Sequence, residues 1–423
     1  MSPHAPPSAA LPRLRILLSE GSSTSAREAI TMLGQDGHHV EVCDPQGHCI
    51  GRFSRFVARF HRCPPLGADP QGYVAFVKDL LARQTFDVLL PIHEQGFALA
   101  AIKDALGGHT GVALPPQAAY LRALSKRDFS ALLAELGLPQ PRTRLIATRE
   151  EALALNEFPL VLKAAIGTAS RTVFVVTDRV TLIRATDELA RCGAFADAVL
   201  AQDFIDAAVE HAQAVFDRGE LVGLHATRQI MRGAGGGDAV KESVDRALVK
   251  EHVKRIGAHL AWHGALSVDY LARGADVQVF YIDCNPRLVE PMNARLSGCD
   301  LLTALLQVSL GARPSPLPAG HAGVRSHLAL QALLGSALQH GSRAQLMRES
   351  FRLISKRGVY RGSREELTPL RADWPSVTPV LLAAAWLTLR PRAAAEMARA
   401  GWGPHLLTPE TIRRIQGWNG ERA

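Results

Sequence analysis

Residues 264–291 read GALSVDYLARGADVQVFYIDCNPRLVEP, two strand-like runs joined by a short turn. Val, Ile, Tyr and Phe recur in both runs, as a pleated, half-buried surface favours. Folded back as a hairpin, the runs bring Asp269 and Asp283 to one end of a site, with Asn285 and Arg287 two and four residues beyond the second carboxylate. Pro286 fixes the strand exit and aims the polar groups beside it, because proline has a set φ and no donor for a sheet ladder. Such a cluster suits Mg²⁺, a hard cation held by few carboxylates together with phosphate oxygens. Each aspartate alone reads equally well as a strand end, but the Asp-x-Asn-Pro-Arg run resists that reading.

Working outward, DAVLAQDFI, HAQAVFD and ELVGLHATRQI add strands with short connections, so the middle third reads as antiparallel α+β. RGAGGGDAVKES (232–243) is glycine-rich and is expected to be a mobile loop, followed by a helix in VDRALVKEHVKRIGAHL. Upstream, FPLVLKAA (158–165) and RTVFVVTD (171–178) predict a hairpin whose tip is IGTAS, and a helix is predicted from Ser125 to Leu136, closed by Gly137. Residues 14 to about 115 alternate LRILL, a helix ending near Gly37, HVEVCD, the helix YVAFVKDLLARQ and FDVLLPI, the β-α-β-α-β order of a parallel sheet. Loops at the carboxyl ends of such strands face ligands, which makes Glu20 to Ser25 and His93-Glu94 candidates for a substrate pocket.

Composition narrows the class. The chain has 423 residues, 47% hydrophobic and 21% charged, as a globular enzyme of several folding units does. No apolar stretch approaches the roughly 18 residues that span a bilayer. The start, MSPHAPPSAALPR, lacks the pattern of a signal peptide and is expected to be a disordered tail over 1–13, with a cytoplasmic location. Six scattered cysteines without a Cys-x-x-Cys pair fit reduced thiols. The net charge of +8 lies in residues 321–423, which hold fifteen Arg/Lys against seven Asp/Glu. Few aromatics accompany these cations, so nucleic acid is not an expected partner. The apolar run at 377–389 reads as a packed core helix, while LISKRGVYRGSR beside it leaves a peripheral membrane or acidic-partner contact open.

The Asp283-x-Asn285-x-Arg287 run, preceded by Asp269, resembles the ATP-grasp superfamily, in the style of its biotin carboxylase and carbamoyl-phosphate synthase branch. There a hairpin supplies a carboxylate, an amide and a guanidinium to a metal–triphosphate complex. Asp283 stands where glutamate is usual, one methylene shorter. By the same resemblance Lys126, in LSKRDFSALLAELGLPQPRT, and Lys163, in FPLVLKAAIGTASRTV, are the two nucleotide-binding lysines. Gln202, Asp203, Phe204 and Ile205 fall at the interdomain hinge that meets adenine, with Glu210 a nearby polar contact. Ser170 and Thr168 lie in the phosphate-covering loop.

The resemblance implies an ATP-grasp fold over 119–312 (119–200, then 201–312), preceded by a small Rossmann-like parallel-sheet domain over 14–118 and followed by a helical region over 313–423. It also implies an ADP-forming ligase using ATP and Mg²⁺ (or Mn²⁺), in which a carboxylate becomes an acyl phosphate and is captured by an amine or another nucleophile. Arg287 and Lys163 would act on the transferred phosphoryl group. Bicarbonate or carbamate activation, and a catalytically weak nucleotide-binding scaffold, remain the alternatives. Arg228 and Arg232 are candidates for an acidic substrate group, and Glu290, Asn293 and Arg295 for orienting substrate. Small-molecule carboxylate and amine substrates are the expected partners, with a homodimer also open.

Overall fold

The structure is a computed structural model that describes residues 11–106, 108–167, 171–274, 278–400 and 405–418. A first sheet, four parallel strands ordered β3-β2-β1-β4, comprises β1 (Arg15–Leu18), β2 (His39–Asp44), β3 (Val57–Arg62) and β4 (Val88–Leu90). Its interior residues Ile16, Leu18, Val40, Val42 and Val88 are fully buried, so this parallel sheet is covered as such sheets are. The Ser23 hydroxyl caps the helix Thr24–Gln35 by accepting from the Ala26 N–H. Strand β3 was not expected: VARFHR is a half-exposed edge strand and carries no apolar run to announce it.

A second sheet of β5 (Thr143–Ile146), β6 (Leu160–Ala164), β7 (Val173–Val176) and β8 (Val199–Asp203) is antiparallel, ordered β5-β8-β6-β7. The hairpin β6–β7 forms where two apolar runs flank small residues. The helix Lys126–Glu135 starts at its Ser125 cap and ends before Gly137, which adopts φ +60°.

The third sheet has seven strands, ordered β13-β12-β9-β10-β11-β14-β15: β9 (Ala208–Asp217), β10 (Glu220–Arg232), β11 (Asp238–Val244), β12 (Gly264–Arg273), β13 (Gln278–Asn285), β14 (Arg325–His327) and β15 (Arg364–Glu365). It is antiparallel except for the β14–β15 pair. Helices Ala247–His259 and Leu301–Ser309 pack on it. One expectation fails here. Residues 238–243 are a buried strand paired on both sides, and only the glycine turn before them departs from sheet geometry, with Gly235 at φ +63° and Gly236 at φ +86°. Continuous burial of Asp238, Ala239, Val240 and Lys241 between two neighbouring strands overrides the local glycine signal.

The C-terminal region is largely helical and contributes the two short strands β14 and β15. The run at 377–389 forms the helix Thr378–Leu389, but it is not wrapped by core. Val380, Ala383 and Leu387 are buried, whereas Leu381, Leu382, Trp386 and Leu389 are exposed, because the helix is covered on one side only. The helix Pro409–Gln416 returns to the N-terminal third of the chain, where the Thr411 hydroxyl donates to Gly67 O at 3.2 Å. No helix of the described residues is long and apolar enough to cross a membrane. All six cysteines are free.

Candidate functional site

The register of β12 against β13 sets Asp269 directly opposite Asp283, and β9 sets His211 opposite Asp269. The two carboxylates come from strand positions 14 residues apart and meet only because the hairpin closes. Asn285 Nδ2 donates to Asp269 at 3.4 Å, and Arg287 donates to Asn285 Oδ1 at 3.3 Å. The Ser267 hydroxyl donates to Arg287 O at 2.7 Å and holds the exit turn against β12. Arg287 is nearly buried. The donor set of two carboxylates and one amide oxygen, on adjacent strand ends beside a cavity, fits a small hard cation.

Two lysines reach this cluster from the second sheet's side. Lys126, at the first turn of its helix, lies 3.1 Å from Asp283 Oδ2 and donates to Gly167 O at 2.8 Å. Lys163, on β6, donates to Ile282 O at 2.6 Å. Burial pulls the Lys163 ammonium down to about 8, an effect that Asp283 and Asp269 oppose and Lys126 reinforces. A buried lysine whose charge is this easily lost is one that an anion beside it would stabilise.

A cavity of about 870 Å³ opens beside the cluster, with Gly167, Arg171, Asp269, Asp283, Asn285 and Arg287 at one end. Arg232 and Glu290 also line it. Glu290 is held by Lys241 at 2.9 Å and by the Thr24 hydroxyl at 2.8 Å, and takes a left-handed φ of +55°. Glu94 lies in a narrow recess beside Lys126, Asp283 and Arg287, and accepts from the Leu407 N–H.

Other expected residues have different employment. Glu20 turns inward and accepts from the Ser22 and Ser23 N–H groups at 2.5 and 2.9 Å, so it shapes its loop, while Ser22 and Thr24 line the cavity. Glu210, expected as a polar contact near the hinge, is engaged by Arg246 at 2.6 and 2.8 Å and by the Tyr270 hydroxyl at 3.0 Å, an internal tie between β9, β12 and the link that follows β11. Arg228 pairs with Glu242 at 3.0 Å and does not line the cavity. Asn293, fully buried, bonds His225 at 2.8 Å and Ser326 at 2.5 Å, and Arg295 pairs with Asp36 and Asp300. Both are structural ties because β13 is followed by a turn that carries them away from the cavity. Gln202 donates to the Thr143 hydroxyl at 2.8 Å and Asp203 pairs with Arg142 at 3.2 Å, on a shallow depression separate from the main cavity; Phe204 and Ile205 follow in the link to β9. Ser170 and Thr168 lie outside the described residues.

Sequence reading missed four residues on the sheet floor: His211, Gln213, Asp238 and Lys241. His211 Nδ1 lies 2.7 Å from Asp269 and its Nε2 lies 3.4 Å from Asp238. Burial lowers its pKa, but the two carboxylates outweigh that and hold it well above the ordinary histidine value. Lys241 pairs at 2.9 Å with both Glu290 and Glu366. Period-two alternation in HAQAVFD puts His211 and Gln213 on one face, but Asp238 and Lys241, three residues apart, share no such signal.

No protein-family model matches the chain. Over 186 residues it is 29% identical to the carbamoyl phosphate synthase large chain of Thermus thermophilus, covering 41% of this chain and 18% of that relative. The matched part is thus about a fifth of the relative's length. Among solved structures it resembles carboxyaminoimidazole ribonucleotide synthase from Aspergillus clavatus, solved with ATP, at 12% identity and TM-score 0.62, covering 88% of this chain and 99% of that one. It also resembles an L-amino acid ligase from Bacillus licheniformis at 17% identity and TM-score 0.55, covering 72% of this chain and 76% of that one. The fold is that of the ATP-grasp proteins. The sequence likeness, over less than half of the chain, is to the carbamoyl phosphate synthase large chain.

Proposed function

We propose that the protein is an ADP-forming ligase that uses ATP and a divalent cation, Mg²⁺ or Mn²⁺, to activate a carboxylate as an acyl phosphate and couple it to an amine or other nucleophile. The observation that carries this is the convergence of Lys126 and Lys163 on the strand pair bearing Asp269, Asp283 and Asn285. Asp269, Asp283 and Asn285 would hold the cation, which supplies Lewis-acid charge to phosphate oxygens when bound. Lys126, Lys163 and Arg287 offset the remaining charge and fix the γ-phosphoryl group in line with an attacking carboxylate oxygen. ADP leaves as the new P–O bond forms; the nucleophile then attacks the acyl carbon, losing its proton as phosphate departs. Adenine would lie at the hinge segment Gln202–Ile205.

The partners in this reading are small-molecule substrates, with a homodimer as a further proposal and the cytoplasm as the location. The basic C-terminal region, with its exposed Leu381, Leu382 and Trp386, is where an acidic partner or a membrane surface would dock.

The test is product analysis with purified protein, Mg²⁺, ATP and a panel of carboxylates and amines. ADP and phosphate, lost on chelation and in Asp283→Ala, are expected; AMP and pyrophosphate would overturn the reading. The likeness to carbamoyl phosphate synthase favours bicarbonate as a second substrate class, and ATP hydrolysis raised by bicarbonate alone would establish it. A scaffold without turnover is excluded if folded Lys163→Ala and Asp283→Ala lose product that the parent chain forms.

A further inference from the structure

The cavity reaches beyond what a metal–triphosphate site needs. From Asp269 and Asp283 it crosses the third sheet past Gln213 and Thr227 to the glycine turn, and ends against the C-terminal helices. There the walls become apolar: Leu330, Leu334, Leu338, Pro379, Ala383 and Met397. The turn is clamped to the helix Ala329–His340, since a Cβ at Gly335 would meet Gly233 Cα at 3.0 Å.

Its polar floor carries an unmet need. Gln213 is 5% exposed and donates through Nε2 to Glu290 O at 3.3 Å, while its Oε1 has no hydrogen-bond partner among the described residues. Gln213 lines the cavity, and a buried acceptor without a partner asks for a donor. Alongside it, the apolar walls select against a fully hydrated occupant.

We infer that the site takes a primary amine with an apolar body, its N–H donating to Gln213 Oε1 and its apolar part filling the chamber walled by Leu334, Leu338, Ala383 and Met397. This rests on the ligase reading, in which an amine is the nucleophile, and specifies that amine. Arg232, on the same cavity, adds a guanidinium that a carboxylate-bearing amine would pair with.

The test is calorimetric titration of the full chain, with Mg²⁺ and a non-hydrolysable ATP analogue present, using phenethylamine and L-leucine against ethanolamine and glycine. The apolar member of each pair is expected to bind at least about tenfold more tightly, as a few methylenes in an apolar pocket give. Ala383→Phe fills the chamber, and Leu338→Glu, at a position already 42% exposed, puts a charge at its mouth. Each is expected to erase that preference while nucleotide affinity stays within about twofold, and Gln213→Leu to weaken all four amines. Equal affinities within each pair, a preference that survives both chamber variants, or no amine binding to nucleotide-loaded protein would overturn the inference. Failure to bind the nucleotide would instead remove the ligase reading, and this inference with it.

Discussion

At the residue scale, the decisive feature is charge held where water is scarce. Lys163, brought down to about 8 by burial, is charged and able to meet phosphate below that pH and increasingly neutral above it. Nucleotide affinity of the free protein is therefore expected to fall as pH rises through about 8, and a titration from pH 6.5 to 9.5 checks it; a flat profile would mean that Lys163 contributes nothing to binding. Lys163→Met should cost on the order of 10²–10³ in kcat/KM, the usual loss for one donor to developing charge. Lys241 plays a different part. Fully buried between Glu290 and Glu366, with Glu28 close by, it neutralises carboxylates that cannot reach solvent. Lys241→Met should destabilise the fold by roughly 3–5 kcal/mol in denaturant unfolding, because removing one partner strands the others. The identity of Asp283 and Asn285 was legible in sequence because a local motif fixes both. Lys241 was not, since its partners are 49 and 125 positions away.

At the element scale, strands decide which side chains share a face and helices decide how closely they are covered. The hairpin of β12 and β13 could be read from its composition, but not the register shift between Asp269 and Tyr270 that sets Asp269 opposite Asp283. The glycine turn and β11 could not, because a glycine run looks the same whether free or clamped. Here the clamp is the helix Ala329–His340, whose Gly335 allows the turn to approach. Gly335→Val should cost about 1–3 kcal/mol through overpacking, seen as a lower midpoint in thermal unfolding. An unchanged midpoint would show that the turn can move away.

Across the whole molecule, the C-terminal region is tied back onto the elements around the first sheet through buried polar contacts. Asp373 pairs with Arg27 at 2.5 Å and accepts from the Arg55 N–H at 2.9 Å; His405 bridges Gln95 and Asp44 at 2.8 and 3.2 Å; the Leu407 N–H meets Glu94. Burial raises Glu94 to about 7 from 4.5, so it stays protonated in the fold while the unfolded chain ionises. Stability from this group is thus full below pH 4.5 and is lost as pH rises towards 7, by up to roughly 3 kcal/mol. Glu94→Gln should flatten the dependence of the unfolding free energy on pH between 4.5 and 7; identical slopes in the two proteins would refute the assignment. The sequence by itself determined the parallel first sheet, the strand-rich middle and the Asp-x-Asn-x-Arg strand end, because hydrophobic periodicity and a proline-fixed exit act over a few residues. Only the tertiary structure decided that Glu210, Arg228, Asn293 and Arg295 are spent on internal ties, that His211 and Gln213 join the cavity floor, and that the C-terminal helices wall it. Those outcomes depend on which distant strand lies alongside, and a contact between positions a hundred residues apart leaves no mark in either segment alone.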